Sequence, residues 1–328
     1  AYTYSYATMG EMVAWIIGWD LVLEYAVGAA TVAIAWAEYL NKLLENFGLD
    51  IPYELCHSPF QTSLTGVHGI INLPALFIII VLSLVLMRGT QESATLNGLI
   101  VILKVGIVVL FICIGWQFIN PVNHTPYIPV NTGEQAMLHG QKGFFDYFTQ
   151  DFGKYGWSGI ISAAGVVFFA FIGFDAVSTT AQEARNPKRD MPIGILVFLA
   201  ICTVLYVLFG HVLTGVANYK EFATVGKEAS VAYAIDTYMP HHHWLSILVT
   251  VAILLGFSSV ILVMLLGQSR VFYSMSKDGL IWPVFAKLHP KFKTPYKSNL
   301  IFLVFVGIFA AFIPEDVVGN MTSIGTLF

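Results

Sequence analysis

The stretch FFAFIGFDAVSTTAQEARNPKRDMP, residues 168–192, decides the predicted fold of this chain. It begins as apolar sequence typical of a membrane helix and then places Gly173 and Asp175 within it. An unwound helix in a bilayer exposes N–H and C=O groups without water partners, so irregular backbone is tolerated only where it lines a protein cavity. The interruption therefore indicates either a midplane site built by a discontinuous helix or a glycine that lets two helices pack closely.

The composition predicts the class of protein independently of any motif. Of the 328 residues, 57% are hydrophobic and 11% are charged, and the mean hydropathy is +0.73. Soluble domains carry about 25% charged residues, so we expect an all-α, multi-pass protein of the cell membrane. The net charge of −4 and the pI near 6.1 give no sign of the basic surface that nucleic-acid binding requires. Three scattered cysteines are too few for a disulfide framework.

Seven segments are long and apolar enough to approach a membrane span, which takes about 20 residues. After Pro314 a short polar stretch leads into MTSIGTLF, which we expect to open an eighth segment. The first residues carry no basic leader typical of a signal peptide, and we expect the chain to be a portion of a larger protein. The predicted spans are 12–40, 69–88, 95–119, 157–182, 191–216, 244–273 and 299–314.

The distribution of Lys and Arg predicts the orientation, because cytoplasmic loops retain positive charge. Of the 16 such residues, ten fall in one set of loops, five in the other, and Lys104 lies within a span. The loops 42–68, 120–156 and 217–243 are therefore predicted to face outward. The connection EARNPKRDMP is predicted to be a short cytoplasmic turn, since Asn186-Pro187 disfavours helical backbone at the residue before proline.

Lys104 lies in the apolar run GLIVILKVGIVVLF, about six residues from the predicted cytoplasmic end of its span. Ionisable residues within the membrane are costly and indicate a functional site by default. Lys104 is either an anchor that reaches the interface with its ammonium group or a proton-coupling residue, because removal from water favours the neutral amine.

The first span carries two carboxylates four residues apart, Asp20 and Glu24, on one helical face. This face is expected to look into the protein or a cavity, because carboxylates facing lipid are costly. Glu24 lies near the middle of the span. It is either a substrate-site residue or a protonated, hydrogen-bonded packing residue, whereas Asp20 is expected to be structural.

Ser258 and Ser259 interrupt the apolar sixth span and offer hydroxyl oxygens near its middle. Serines in membrane helices often only permit close packing or bond to a preceding carbonyl. Hydroxyl oxygens are also what a coupling cation or an ammonium group requires. The pair is therefore a candidate for proton coupling together with a cationic partner.

Other features favour simpler interpretations. The tract His241-His242-His243 is not expected to bind a metal, since consecutive residues do not converge on one ion, and residues 143–152 are typical of an interfacial helix. Phosphate-binding glycine motifs, zinc-ligand spacing and nucleophile-elbow patterns are not apparent. We therefore expect neither an ATP-driven protein nor an enzyme, and no cofactor other than a coupled proton.

Three stretches together resemble the amino acid-polyamine-organocation superfamily, most closely its cationic amino acid transporter branch. They are AYTYSYATMGEMVAWIIGWDLVLEY, FAFIGFDAVSTTAQEARNPKRDMP and SRVFYSMSKDGLIWPVFAKLHPKFKTP. The resemblance implies the LeuT-type fold of two inverted five-helix repeats, of which this chain would hold helices three to nine and the start of ten. Residues 1–119 would complete the first repeat, residues 157–328 would form a truncated second repeat, and residues 120–156 would form an external loop.

The resemblance also implies roles for individual residues. The unwound part of helix six would be Phe171, Ile172, Gly173 and Phe174, whose backbone would hold the substrate α-amino group, with Phe174 or Phe171 as an aromatic gate. Glu24 and Met264 would border the substrate side chain. Lys104 would match a helix-five lysine whose ammonium replaces a sodium ion between helices one and eight, with Ser258 and Ser259 beside it.

The sequence thus predicts proton-coupled uptake of L-amino acids, cationic or small neutral, by alternating access. An exchanger or facilitator without proton coupling is the alternative. Substrate and lipid are the expected partners, and neither an auxiliary membrane subunit nor the oligomeric state can be predicted from the chain.

Overall fold

The computed structural model describes residues 2–63, 66–88, 94–129, 155–167, 186–222, 229–290, 292 and 294–327. Within these ranges all regular structure is helical, apart from one isolated antiparallel bridge between Thr62 and His68. The prediction of an all-α protein is confirmed for this part of the chain.

The described helices are numbered here in chain order. Short 3₁₀ turns follow α5 at Trp116–Phe118 and Pro121–His124, and another precedes α11 at Pro283–Ala286. The helices are α1 (Tyr2–Met9), α2 (Glu11–Asn46), α3 (Tyr53–Cys56), α4 (Leu73–Arg88), α5 (Ala94–Gly115), α6 (Gly156–Val167), α7 (Pro187–Val216), α8 (Tyr219–Phe222), α9 (Ser230–Tyr238), α10 (His243–Lys277), α11 (Tyr296–Phe312) and α12 (Glu315–Leu327).

Helix α2 is the central element, and its main partner is α10. In the most apolar part of α2, 67% of the residues are buried, against 28% in α10. Small residues bring the two backbones together: a side chain at Gly18 would meet Met275, and one at Gly267 would meet the Tyr25 ring at 3.0 Å. Because lipid supplies no hydrophobic force between helices, such close packing is what holds membrane helices together.

A second cluster of buried residues joins α5, α7, α9 and the first half of α10. Phe111 of α5 and Val212 of α7 are fully buried at its centre, and the Phe111 and Phe209 rings lie 4.9 Å apart. Helix α10 belongs to both clusters, with its later half against α2 and its first half against α5 and α9. It therefore fixes the position of α5 relative to the central helix.

Helix α1 docks at the other end of α10. Gly10 separates α1 from α2 with φ of 90°, a backbone conformation that glycine adopts without strain. The hydroxyl of Tyr2 donates to Asp278 Oδ2 at 2.8 Å, directly after α10 ends. Burial, with the neighbouring Asp278 carboxylate, raises the pKa of Tyr2 above its ordinary value. The sequence did not predict this helix.

Among the described residues, four helices are long and apolar enough to cross a membrane by length and composition: Glu11–Asn46, Val101–Phe118, Pro192–Val216 and His243–Lys277. Leu73–Arg88 and Tyr296–Phe312 are shorter apolar helices. These six correspond to the predicted spans 12–40, 95–119, 191–216, 244–273, 69–88 and 299–314. The predicted span 157–182 is described only to Val167, the last described residue of α6.

Two predicted boundaries were wrong. The segment PKRDMP is not a turn, because α7 begins at Pro187. Proline is favourable at the first helical position, where its missing N–H would have no helical partner, so Asn186-Pro187 marks the start of a helix. The polar stretch after Pro314 is helical as well, since α12 runs from Glu315 to Leu327.

We predict that Gly267→Leu destabilises the protein more than Gly194→Leu. A side chain at Gly267 would press on the buried Tyr25 ring, whereas a Cβ at Gly194 meets nothing within 4 Å. Both changes give the helix the same gain in propensity, so their difference reports packing, expected at about 1–3 kcal/mol for an overpacked site. Thermal unfolding of the purified full-length protein in nanodiscs measures it, and equal melting temperatures would contradict the packing described here.

Candidate functional site

The structure brings Lys104 and Ser259 together between α5 and α10. Lys104 Nζ donates a hydrogen bond to Ser259 Oγ at 2.6 Å, and both side chains are partly buried. The Ser259 hydroxyl in turn donates to the Gly256 carbonyl at 2.9 Å. Its single hydrogen is therefore engaged, and its oxygen lone pairs face the lysine.

The two neighbouring serines differ in what they contact. Ser258 Oγ donates to the Leu254 carbonyl at 2.8 Å within its own helix, and no bond from it to Lys104 is present. Adjacent residues point about 100° apart on a helix of 3.6 residues per turn, so only one of the pair faces α5. Ser259 is the partner that the geometry favours.

Lys104 forms no ion pair with a carboxylate in the described part of the chain. A lysine ammonium carries three donors, and Ser259 accepts only one of them. The group is thus held by a neutral oxygen, and a change in its charge would not be offset by a nearby carboxylate among the described residues.

A cavity of about 190 Å³ lies beside Lys104, at the junction of α5, α7 and α10. Apart from the lysine, its lining is apolar, so the aliphatic part of Lys104 runs along hydrocarbon side chains while Nζ reaches the serine. The lining residues are Lys104, Ile107, Val108, Phe111, Phe209, Val249, Ala252, Ile253, Gly256 and Phe257.

Gly256 is a site residue that the sequence analysis missed. A Cβ on Gly256 would lie 3.7 Å from Lys104 Cε, and its carbonyl accepts the Ser259 hydroxyl. The sequence shows this glycine three residues before Ser259, in the run LLGFSSV. Its place beside Lys104 could be recognised only once the position of α5 was known.

Glu24 and Met264 lie at neighbouring levels of the α2–α10 contact. Glu24 is 8% exposed and Met264 is 6% exposed. Gly28, one turn after Glu24, has the Met264 sulfur 3.3 Å from where its Cβ would be. The structure therefore places both residues in the interior between the two helices, and their predicted contact with a substrate stays a prediction.

Several predicted features lie outside the described residues. These include Phe171, Ile172, Gly173 and Phe174, with Asp175, and the predicted interfacial helix at 143–152. Helix α6 is described up to Val167, which precedes the first group in the sequence. In the described ranges, no group of three or more His, Cys, Asp and Glu side chains could hold a metal ion.

Comparison with known proteins shows that one family matches the whole chain. The family profile described as amino acid permease matches residues 1–328. The branched-chain amino acid permease BcaP and the methylthioribose transporter, both of Bacillus subtilis, are each 36% identical over 326 residues, which is 99% of this chain and 63% of either relative. The vacuolar cationic amino acid transporter 4 of Arabidopsis thaliana is 30% identical over 329 residues, covering 100% of this chain and 50% of the relative.

We predict that Lys104 and Ser259 are energetically coupled and that Lys104 and Ser258 are not. Residues in direct contact show interaction energies of about 0.5–3 kcal/mol in double-mutant cycles. The cycle Lys104→Met with Ser259→Ala tests the bond, and the cycle with Ser258→Ala is the matched control, both read from thermal unfolding in nanodiscs. Coupling of the same size in both cycles would contradict the geometry.

Proposed function

Because this chain belongs to the amino acid permease family, we propose that it is the larger part of a secondary active transporter for L-amino acids. The chain spans about 63% of the length of the Bacillus relatives it matches. The hydrogen bond from Lys104 to Ser259 carries the proposal of proton coupling. It joins two apolar helices through a group that can gain and lose a proton.

In the proposed mechanism the protonated Lys104 holds α5 to α10. One ammonium hydrogen bonds Ser259, and the others are available to the helix that the resemblance places before this chain. Loss of the proton removes a donor and the charge, which weakens this attachment. A ligand shifts such an equilibrium only through its different affinity for two states, so protonation and substrate binding must favour each other.

The LeuT-type arrangement remains part of the proposal. The two inverted repeats, with 1–119 in the first and 157–328 in the second, fit the order of the apolar helices. The substrate site would lie within the cell membrane, and the backbone of residues 171–174 would complete it. The protein would act with substrate and bilayer as its partners and without a cofactor beyond the proton. An exchanger or facilitator that works without a proton gradient is the alternative.

In this proposal the protonation state of Glu24 determines the substrate class. The relatives named above are described as carriers of branched-chain amino acids, of methylthioribose and of cationic amino acids. An ionised Glu24 would pair with the side-chain cation of arginine or lysine. A protonated Glu24 would leave a pocket for a neutral side chain bordered by Met264.

We predict that an inward proton gradient drives amino-acid uptake by the full-length protein in proteoliposomes, and that Lys104→Ala abolishes this stimulation. The reason is that the alanine variant has no group to carry the coupled proton. Ser259→Ala is expected to reduce the stimulation more than Ser258→Ala does, since only Ser259 contacts the lysine.

Counterflow of labelled amino acid without a gradient controls for folding, because a folded but uncoupled carrier still exchanges substrate. Uptake that ignores the gradient in the wild type as well would exclude proton coupling and leave the exchanger or facilitator.

We predict that Glu24→Gln lowers arginine uptake relative to leucine and alanine if the carboxylate is ionised. A buried charged pair that loses one partner is expected to cost about 3–5 kcal/mol, which corresponds to more than a hundredfold loss for arginine. Competition by unlabelled amino acids against a labelled substrate measures the preference. Unchanged relative uptake would assign Glu24 to packing.

A further inference from the structure

Two histidines from distant parts of the sequence stack on each other at the end of the bundle predicted to face outward. His124 follows α5, and His211 lies in the last two turns of α7. Their ring centroids are 4.5 Å apart with an interplanar angle of 27°. Neither residue takes part in the Lys104 site, which lies deeper along α5.

The contacts of His124 with α7 are compatible with a protonated ring. Thr214 Oγ1 donates its hydrogen to the Gly210 carbonyl at 2.7 Å. The same oxygen lies 3.3 Å from His124 Nε2, and the tautomer of the imidazole decides which of the two atoms donates. A protonated imidazole donates from both ring nitrogens, so Thr214 Oγ1 would then accept from Nε2.

The pair lies at the end of a helix and beside two aromatic rings. His124 lies against Thr214, near the carboxyl end of the 30-residue helix α7, where the helix dipole stabilises cations. The neighbouring Trp116 and Tyr127 rings lie 5.6 Å from His211 and 5.4 Å from His124, and aromatic rings attract a nearby cation. A second charge at the stacking distance would repel the first.

The stack forms one wall of a cavity of about 670 Å³. The other titratable side chains on its lining are Tyr127, Tyr155, Tyr206 and Tyr219, and within the described part of the chain no Asp, Glu, Lys or Arg lines it. Of the charged residues on α8, next to Tyr219, Glu221 accepts hydrogen bonds from Tyr233 and Tyr238, and Lys220 is exposed. Among the described lining residues, the histidines are therefore the ones whose side chains can change charge near neutral pH.

The loop that carries His124 and the helix α7 that carries His211 are bonded to each other and lie beside α6. The loop before His124 is tied to the end of α7, since Asn120 N–H and Asn123 Nδ2 both donate to the Gly215 carbonyl, at 3.0 and 2.9 Å. The opposite wall of the cavity includes Gly159, Ile160 and Ala163 of α6, which leads toward the predicted substrate segment 171–174. A charge on the stack thus acts on the contact between this loop and α7, beside α6.

We propose that His124 and His211 form a second proton-binding site, separate from Lys104, which takes one proton from the outward side and sets how the transport rate depends on external pH. The proposed effect on transport rests on the function proposed above, whereas the proposed proton binding is independent of that function.

Proton binding is measured by NMR of the full-length protein in nanodiscs, with ¹³C- and ¹⁵N-labelled histidine, titrated between about pH 5 and pH 8. We expect the ring signals of His124 and His211 to change together with pH, as those of a coupled pair. His211→Phe, which keeps a stacked ring, should change the pH dependence of the His124 signals. Two independent transitions, or none in this range, would overturn the proposal.

The effect on transport is measured as the uptake rate in proteoliposomes. The external pH is varied between about pH 5 and pH 8, and the internal pH is changed by the same amount, so that the pH difference across the membrane stays constant. The driving force is then constant while the external pH changes. We expect the uptake rate of the wild type to change across the range, and the change to be lost in His124→Gln and His211→Phe. Glutamine retains an Nε2 donor for Thr214, so the loop keeps its bond to α7.

His68→Gln is the matched control, since His68 is an exposed histidine in another loop predicted to face outward, and its side chain bonds Thr62. It should keep the wild-type pH profile. A wild-type profile in the His124 and His211 variants would overturn the proposed role in transport. If gradient-driven uptake is absent altogether, the proposed function fails, while the NMR titration still decides whether the stack binds a proton.

Discussion

The close approach of α2 and α10 is the constraint on which the rest of this structure depends. Glycines at 18, 28 and 267 remove the side chains that would keep the two backbones apart, and the methionines and tyrosine of the partner helix occupy that space. In lipid, shape and contact must supply the attraction that water supplies in soluble proteins. Because α10 is fixed on its later half by α2, its first half presents Ser259 to α5 at a defined depth.

Several hydroxyl groups within this bundle donate to carbonyls of their own helix. Thr31 and Ser258 each donate to a carbonyl four residues earlier, and Ser259 donates to the carbonyl of Gly256. Such bonds satisfy a hydroxyl without a partner from another helix. Lys104 differs, since among the described residues its ammonium donates to no carbonyl of its own helix and reaches across to α10. The change in its protonation that we propose would therefore act on the contact between two helices, whereas a locally bonded hydroxyl acts within one helix.

The sequence predicted the helices well and their ends less well. Apolar runs specify which segments cross a membrane, but a proline reads equally as the end of one helix or the first residue of the next, and Pro187 proved to be the latter. The sequence analysis also expected Lys104 to lie beside the serine pair, as it does, but it did not predict which serine is the partner. That choice depends on the rotation of α10 about its axis, which is set by its contact with α2 and is not encoded locally. The glycine interruption at residue 173 lies outside the described residues, so the prediction for it stands as it was made.

The histidine stack shows where sequence reasoning ends for a physical reason. His124 and His211 lie in unremarkable contexts, one in a loop and one in an apolar helix, and no spacing relates them. They meet because the loop after α5 folds back to satisfy the free carbonyl of Gly215 at the end of α7. A helix end in need of donors thus brings an imidazole ring to the carboxyl end of α7. The same bonds that close the bundle at this end create the histidine stack that is proposed to bind a proton there, at a distance from the lysine that is proposed to carry the coupled proton.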